Sequence, residues 1–463
     1  MKLKIKEITG AVNGALLKGA PGIEVRGFAI DSRQVKPGDL FVPFKGDKVD
    51  GHDYIQKAFA NGAAGTLYAR EGEPPAGLPE EGVVIAVSDS MTALQHLAAW
   101  YRRRFELPVV GVTGSSGKTT TKDYIAGVLS ARFKTLKTTG NLNNEIGLPL
   151  TILQLEDFHQ AAVVEMGMTA PGEITTLCEI ADPSIGVITN IGEAHIELLG
   201  SIRAIAKAKA ELLAYLGSGG VAVLNGDDPR LLEIGERHPG KVLYYGFNQG
   251  DIKGLEMSQR GEKSFFRARF PNGKDGWFES PLPGRESAGN ALAALAVGYH
   301  LGMEMPELEA GLKAVEVTAG RLQVIRRIGE PVIIDDTYNA NPASVAAAIR
   351  VLKELGGGKT VAVLGDMLEL GHASGEAHRR IGRMVAETGI YCLVTVGRLA
   401  ALAAEEAEKM GVIVYGYEDH EGAIKRLQEM EMDEQWHLLA KGSRGMRMEK
   451  IIEALIGEKG AKE

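Results

Sequence analysis

Residues 109–120 read Val-Val-Gly-Val-Thr-Gly-Ser-Ser-Gly-Lys-Thr-Thr, and this stretch decides how the chain folds. A short apolar run is followed by a turn rich in glycine and serine, and a helical pattern begins after it. Glycines let successive backbone N–H groups turn toward an anion, and the first turn of the helix adds its positive end. The stretch therefore predicts a strand, a phosphate-binding loop (P-loop) and a helix.

The P-loop supplies the groups that contact a nucleoside triphosphate. We expect Lys118 to place its charge on the β- and γ-phosphates and Thr119 to offer its hydroxyl to Mg²⁺. The predicted nucleotide contacts from the loop are Thr113, Gly114, Ser115, Ser116, Gly117, Lys118, Thr119 and Thr120. Kinases, GTPases, motors and ligases all use such loops. The base-reading motif of GTPases is missing from the sequence, because no asparagine is followed by lysine.

Two further apolar strands end in side chains that suit a metal ion. Glu165 closes the run that begins at residue 161, and His195 follows the run 185–191. Ligands bind at the carboxyl ends of parallel strands, and Mg²⁺ combines a few carboxylates with phosphate and water. We therefore predict Thr119, Glu165 and His195 as metal ligands. A surface carboxylate and a structural histidine are the alternative interpretations of the last two.

Apolar runs alternate with helical patterns over most of the chain, which predicts an α/β fold of three domains. Residues 251–280 are more polar and predict an antiparallel excursion, and residues 288–301 predict a buried helix. The predicted domains are a small N-terminal α/β domain (1–105), a central P-loop domain with a doubly wound, mostly parallel sheet (106–316), and a C-terminal Rossmann-like α/β domain (317–463).

Composition limits the environment and the partners. The 463 residues carry 52 basic and 60 acidic side chains, a formal charge of −8, which argues against nucleic acid as a partner. Residues 1–9 alternate charged and apolar side chains, as in a strand, so no signal peptide is expected. The most apolar stretch, 291–297, is too short to span a bilayer. With only Cys178 and Cys392 as thiols, a cytoplasmic protein without a membrane partner is expected.

Taken together, the P-loop, Glu165, His195 and a lysine pair, Lys207 and Lys209, resemble the central domain of the Mur ligases. The resemblance extends along nearly the whole chain and implies ATP and Mg²⁺ as cofactors. In that family the glutamate and the histidine hold Mg²⁺, and the lysine matching Lys209 is carbamylated in several relatives. The implied catalytic residues are Lys118, Lys209 and His195. An unmodified Lys209, or a register shifted to Lys207, is the alternative.

The resemblance also implies nucleotide contacts beyond the loop. Asn290 matches the last asparagine of a segment in which Ser287 or Ala288 occupies the position of an earlier one, so only Asn290 is carried over. Arg321 resembles a hinge arginine that reaches the ATP phosphates, and Asp336 matches an acid on the ribose side. Asn341 precedes a proline, so a helix-capping role is its alternative interpretation.

Four segments, 140–147, 336–341, 364–371 and 441–444, resemble the branch of the family that adds D-alanyl-D-alanine. The implied reaction joins D-Ala-D-Ala to UDP-N-acetylmuramoyl-tripeptide through an acyl phosphate, and a monomer is expected. The alternatives are a sister Mur ligase or folylpolyglutamate-type ligase, or a P-loop ATPase switch or motor. The implied substrate contacts are Asp31, Ser32, Arg33 and Lys45 at the UDP end, with Asn141, Asn143, Asn144, Tyr338, Asn341, Lys441 and Arg444 elsewhere.

Overall fold

The computed structural model describes residues 2–356 and 358–457. Its chain divides into two compact units. The first comprises Met1–Gly111, Phe133–Met168 and Gly172–Ile185, and the second comprises Val112–Arg132, Thr169–Pro171 and Gly186–Glu463. These units follow the density of contacts and cross the boundaries of the three predicted domains, which stay a prediction.

Strands and helices alternate through the described residues, so the predicted α/β class is confirmed. The strands are β1 (Leu3–Lys4), β2 (Ala15–Lys18), β3 (Glu24–Val25), β4 (Gly27–Ala29), β5 (Asp39–Phe41), β6 (Gly65–Tyr68), β7 (Val83–Ala86), β8 (Val109–Thr113), β9 (Thr135–Lys137), β10 (Ala161–Glu165), β11 (Ile185–Ile188), β12 (Val221–Asn225), β13 (Lys241–Gly246), β14 (Ile252–Arg260), β15 (Lys263–Arg269), β16 (Asp275–Ser280), β17 (Gln323–Ile325), β18 (Val332–Asp336), β19 (Lys359–Gly365), β20 (Cys392–Val396), β21 (Ile413–Tyr417) and β22 (Trp436–Lys441).

The helices are α1 (Ile5–Ala11), α2 (Ile55–Ala60), α3 (Ser90–Arg102), α4 (Lys118–Ser130), α5 (Gly147–Ile152), α6 (Glu173–Ala181), α7 (Ile196–Leu199), α8 (Ile202–Leu216), α9 (Pro229–Glu236), α10 (Arg285–His300), α11 (Met305–Lys313), α12 (Pro342–Gly356), α13 (Ser374–Thr388), α14 (Ala400–Lys409), α15 (His420–Glu429) and α16 (Glu449–Ile456). Short 3-10 turns occur at Gly51–Tyr54, Gly371–Ala373 and Arg444–Met446. Within the described residues, no helix combines the length and the apolar character that crossing a bilayer requires.

The start of the chain corrects the prediction of a strand over residues 1–9. Only β1 is extended, and α1 begins at Ile5. Ile5 and Ile8 are both buried, a spacing of three that suits one face of a helix. The carboxylate of Glu7 accepts the backbone N–H of Lys4 at 2.9 Å, which satisfies a donor at the helix start. These two features outweigh the short alternating pattern.

In the first unit, a five-stranded sheet has the order β2-β7-β6-β5-β4. The pairs are parallel except for β2 with β7, and their apolar side chains build a core that includes Phe41, Ile55 and Val84. Helix α3 of this unit starts where Asp89 accepts the N–H of Thr92 at 2.7 Å. The same unit holds the parallel pair β9 and β10.

In the second unit, strands follow the order β16-β15-β14-β13-β12-β11. Parallel pairing joins β12 to β13 and β13 to β14, and β14, β15 and β16 are antiparallel, which confirms the predicted excursion at 251–280. The predicted buried helix is α10, whose residues 291–298 are all buried. A helix that is apolar on every side belongs inside a protein, and α10 packs against α4.

A second sheet of the same unit has the order β17-β18-β22-β19-β20-β21. All of its pairs are parallel except β17 with β18, so the predicted Rossmann-like rhythm is confirmed. The sequence did not reveal that β22 inserts between β18 and β19, nor did it indicate the three-residue β17. The insertion matters because it sets the ends of β18 and β22 side by side.

Candidate active site

A cavity of about 450 Å³ opens in the second unit at the carboxyl ends of parallel strands. Thr189 follows β11, Asn225 ends β12 and Gly246 ends β13, and all three line the cavity. From the other sheet, Asp336 at the end of β18 and Lys441 at the end of β22 also line it. Two sheets thus direct their carboxyl ends at one space, which is where open α/β proteins bind ligands.

The P-loop forms part of the wall of this cavity and requires its glycines. Gly114 and Gly117 have φ values of 151° and 77°, which L side chains rarely adopt. A side chain at Gly114 would also collide with the hydroxyl of Thr189, and one at Gly117 would lie 2.9 Å from Asn290 Oδ1. Asn290 therefore lies against the loop, while its predicted contact with the nucleotide stays a prediction. The loop is Gly-Ser-Ser-Gly, with two residues between its glycines.

The loop is braced from the end of β11. The side-chain oxygen of Asn190 accepts the N–H of Ser116 at 2.9 Å, and the hydroxyl of Ser115 accepts the N–H of Gly192 at 2.8 Å. Ser116 and Thr120 line the cavity, whereas Thr113 lies buried at the end of β8. The residues after β11 therefore hold the loop in a defined conformation, in which the N–H groups of Ser115 and Ser116 both donate to Asn190.

Two cations lie at the start of α4. Lys118 folds back so that Nζ donates to the Gly114 carbonyl at 2.8 Å. Arg321 donates from Nη2 to the Thr119 hydroxyl at 3.0 Å, and its guanidinium carbon lies 4.0 Å from the ring centre of Tyr338. Arg321 Nε is buried and has no hydrogen-bond partner among the described residues. The site thus holds positive charge and a spare donor where a triphosphate would bring negative charge.

Asp336 and Lys441 form a buried ion pair in the wall of the cavity. Lys441 Nζ lies 2.5 Å from Asp336 Oδ2 and also donates to the Asn339 carbonyl at 2.9 Å. Burial raises the pKa of Asp336 and lowers that of Lys441, while their mutual attraction opposes both shifts. The other oxygen of Asp336 accepts the N–H of Leu322 at 3.2 Å.

Asn341 has the predicted capping role and a second contact. Its side-chain oxygen accepts the N–H of Ser344 at 2.9 Å, which caps α12, and Pro342 is the first residue of that helix. Its Nδ2 donates to the Ser115 carbonyl at 3.3 Å, so the residue also reaches the P-loop. Arg444 is more distant, with its guanidinium carbon 5.8 Å from the ring centre of Tyr338.

His195 contacts Glu369, an acidic residue in the segment that follows β19. Its Nδ1 lies 2.7 Å from Glu369 Oε2, and both residues have a φ of 63°. This short contact lowers the pKa of Glu369. Metal-binding histidines generally donate their other ring N–H to a carboxylate in this way, which leaves Nε2 for a ligand.

Lys209 lies on α8 with 1% of its surface exposed, whereas Lys207 is exposed. Burial, reinforced by the charge of Lys118, holds the pKa of Lys209 well below its usual value. A buried amine that is easily neutral is chemically reactive, which an exposed ammonium is not. The structure thus separates the two lysines that the sequence left as alternatives.

Glu165 and Asn143 meet in the first unit. Asn143 Nδ2 donates to Glu165 Oε1 at 2.8 Å, while the buried Oε2 has no hydrogen-bond partner among the described residues. An unsatisfied carboxylate oxygen suits a cation. The side-chain oxygen of Asn144 instead accepts the N–H of Gly147, the first residue of α5, at 2.9 Å. Asn141 is exposed.

No group of three or more His, Cys, Asp or Glu side chains that could hold a metal ion occurs in the part of the chain that the structure describes. Mg²⁺ does not need such a group, because it is usually held by one or two carboxylates together with waters and substrate phosphates. The hydroxyl of Thr119 in the second unit and the carboxylate of Glu165 in the first are each oxygen donors of the kind that Mg²⁺ prefers.

The predicted UDP contacts fall into two places of the first unit. Arg33 pairs with Asp31 at 2.7 Å and lowers the pKa of that carboxyl to about 2, and Ser32 is buried beside them. Lys45 lines a separate cavity of about 550 Å³ together with His52. The lining of that cavity, within the described residues, does not include Asp31, Ser32 or Arg33.

Sequence reasoning missed a loop that forms another wall of the nucleotide cavity. The carboxylate of Asp227 accepts the backbone N–H groups of Phe247 at 2.8 Å, Asn248 at 2.8 Å and Gln249 at 3.0 Å. Arg285 then packs over the Phe247 ring at 4.2 Å. Asp227 follows an apolar strand, so the strand-end rule could have found it. The stacking of Arg285 on Phe247 joins the start of α10 to the end of β13, so no local sequence pattern indicates it.

A P-loop on one parallel sheet, facing acid and base from another, defines a nucleotide-binding α/β protein. Three family models match the chain: "Mur ligase family, catalytic domain" at residues 24–102, "Mur ligase middle domain" at 112–298, and "Mur ligase, glutamate ligase domain" at 320–444. The chain is 38% identical to the UDP-N-acetylmuramoyl-tripeptide--D-alanyl-D-alanine ligase of Bacillus subtilis, over 98% of this chain and 99% of the relative.

Solved structures agree. MurF from Acinetobacter baumannii superimposes with a TM-score of 0.90 at 33% identity, covering 98% of this chain and 99% of that one. MurF ligase from Thermotoga maritima, in complex with ADP, gives a TM-score of 0.81 at 30% identity over 93% of this chain and 97% of that one. The chain belongs to the Mur ligase family.

Proposed function

We propose that this enzyme joins D-alanyl-D-alanine to UDP-N-acetylmuramoyl-tripeptide at the expense of ATP, which it converts to ADP and phosphate. The acceptor and the dipeptide are those named for the Bacillus subtilis relative, which aligns with nearly the whole chain. One contact in the site supports the dependence of the reaction on ATP. Arg321 reaches from beyond the central sheet to donate to Thr119 on the P-loop, next to Lys118.

The reaction needs the charges that this site supplies. A carboxylate oxygen of the tripeptide attacks the γ-phosphorus, the bond to the bridging oxygen breaks, and ADP leaves. The amine of D-Ala-D-Ala then attacks the acyl carbon, phosphate leaves, and the amine loses a proton. Carboxylate and triphosphate repel each other, so Lys118 and Arg321 stabilise the charge that gathers on the transferring group.

Mg²⁺ is proposed as the companion ion, with Thr119, Glu165 and His195 as its candidate ligands. Bound there, the ion would neutralise phosphate charge and orient the γ-phosphoryl group. Glu369 holds His195 through Nδ1, so the free nitrogen is defined before an ion binds. Lys209 is proposed to be carbamylated, since a neutral amine is the form that reacts with CO₂.

The substrate contacts are proposed on local grounds. Asn143 steadies Glu165, and Asn341 joins the start of α12 to the P-loop. Asp31, Ser32, Arg33 and Lys45 are proposed for the UDP end, and Tyr338, Lys441 and Arg444 for the end that holds the peptide. A cytoplasmic monomer is proposed as well, and two buried free thiols, Cys178 and Cys392, are compatible with a reducing compartment.

The deciding experiment measures ADP release by the purified chain with UDP-tripeptide and either D-Ala-D-Ala or single amino acids. We expect release that depends on both the UDP-tripeptide and the dipeptide. Release with a single amino acid instead would favour a sister ligase of the family. ATP turnover that ignores every amine acceptor would favour a P-loop ATPase switch or motor and would contradict the proposal.

A further inference from the structure

The segment between the two sheets of the second unit lies along one face of α4. Thr318 donates to Asp123 Oδ2 twice, from its backbone N at 2.9 Å and from its hydroxyl at 2.7 Å. Asp123 is 1% exposed, and its other oxygen lies 3.0 Å from Nζ of the buried Lys122. A buried carboxylate that accepts two hydrogen bonds from one residue and pairs with a lysine holds that residue, here Thr318, firmly.

The contacts repeat along the helix with a regular spacing. Arg321 binds Thr119, Thr318 binds Asp123, and Val315 packs so closely on Gly127 that an added Cβ would lie 2.5 Å from it. Positions 119, 123 and 127 are four residues apart and therefore share one face of the helix. The segment thus runs antiparallel to α4 and advances three residues for each helical turn.

Hydrogen bonds to residues 336–338 also fix the backbone on each side of Arg321. Leu322 donates its N–H to Asp336 at 3.2 Å, and the carbonyl of Gly320 accepts the N–H of Tyr338 at 3.2 Å. Gly320 and Leu322 have φ values of 70° and 50°, and the second is unfavourable for a leucine. Anchors on both sides are what keep such a conformation in place, and Arg321 lies between them.

We propose that Asp123 is a positioning residue for nucleotide binding, which fixes Thr318 one helical turn from Thr119 and so sets the reach of Arg321. The inference rests on the proposed function only in that Arg321 contacts the ATP phosphates. Asp123 touches no substrate itself. Its effect on ATP must therefore pass through Arg321, and this dependence separates it from a residue that only stabilises the fold.

The test measures the dissociation constant of ATP with Mg²⁺ by calorimetry on the full chain, with the melting temperature of each variant. Thr318→Val keeps the shape but loses the hydroxyl, and we expect ATP to bind roughly five-fold more weakly. Thr318→Ser retains the donor and should restore binding. In an Arg321→Ala background, Thr318→Val should cause no further loss, because the group it positions is gone.

Thr121→Val is the matched control. It removes a buried hydroxyl from the same helix, and that hydroxyl has no hydrogen-bond partner among the described residues. ATP affinity should not change. Asp123→Asn is a second variant with the same expected direction as Thr318→Val. It also removes the buried charge 3.0 Å from Lys122 Nζ, so it should melt at a lower temperature.

An equal loss from Thr318→Val with and without Arg321 would overturn the inference, and so would unchanged affinity in both Thr318→Val and Asp123→Asn. Either result would leave the proposed function standing, because the unmodified chain would still bind ATP. A chain that binds no ATP at all would instead overturn the proposed function, and the inference with it.

Discussion

Asp336 and Lys441 lie directly opposite each other in the parallel pairing of β18 and β22, and their side chains meet at 2.5 Å in a buried site. Removing one charge would leave the other buried and unpaired, which costs about 3–5 kcal/mol. We therefore expect Asp336→Asn to lower the melting temperature by several degrees, as measured by calorimetry.

The matched control is Asp335→Asn, since among the described residues the donors to the Asp335 carboxylate are the local ones from Thr337. That variant should melt near the unmodified chain. Replacing both partners, as in Asp336→Asn with Lys441→Met, should recover part of the lost stability, because no buried charge remains. A single Asp336→Asn variant with unchanged melting would contradict this account.

Lys118→Ala should abolish most of the ligase activity without unfolding the chain. A lysine on the transferring phosphate contributes transition-state stabilisation comparable to that of an oxyanion donor, so we expect ADP release to fall by about 100-fold or more. Lys313→Ala serves as the control, because Lys313 is an exposed partner of Glu309. Full amide synthesis by Lys118→Ala would refute the P-loop assignment.

Glu369→Gln tests the orientation of His195. The carboxylate that holds Nδ1 would be lost, and we expect the Mg²⁺ concentration for half-maximal ADP release to rise by about 10-fold or more. Glu193→Gln is the control. Glu193 lies two residues before His195 in the chain, and its carboxylate pairs with Arg380. An unchanged Mg²⁺ requirement in Glu369→Gln would separate His195 from the metal.

The same pair has a defined pH dependence. The short contact with His195 lowers the pKa of Glu369, so the stabilisation from this contact is complete above the ordinary pKa of a glutamate. It is lost only as the pH falls through the lower value of the folded state. The ratio of activities of the unmodified chain and Glu369→Gln should therefore stay constant from neutral to mildly alkaline pH. A ratio that drifts across that range would contradict the assignment.

Carbamylation of Lys209 predicts a dependence on CO₂. Burial lowers the pKa of Lys209, which favours the neutral, reactive form of its amine. We expect activity to fall in CO₂-depleted buffer and to return with bicarbonate, and labelled bicarbonate should give a carbamate signal in carbon NMR. Lys209→Arg should lose both properties, whereas Lys207→Arg, at an exposed position, should keep both. A fully active Lys209→Arg variant would contradict the proposed carbamylation of Lys209.

Much of the fold could be predicted because its signals are local. The alternation of apolar runs with helical patterns predicted the Rossmann-like second sheet apart from β17, and the polarity of residues 251–280 predicted the antiparallel excursion. The error at residues 1–9 has the same origin: two extended residues and a short amphipathic helix resemble a strand over so few positions. The short edge strand β17 carried too few residues for any pattern to indicate it.

The sequence by itself determined the strand, glycine loop and helix around Lys118, because backbone freedom and apolar spacing are properties of neighbouring residues. It also determined the cap at Asn341. Only the tertiary structure decided which distant groups meet, such as His195 with Glu369, and Thr318 with Asp123. Those contacts depend on strand order and on how helices pack, and no short-range preference of the chain encodes either of them.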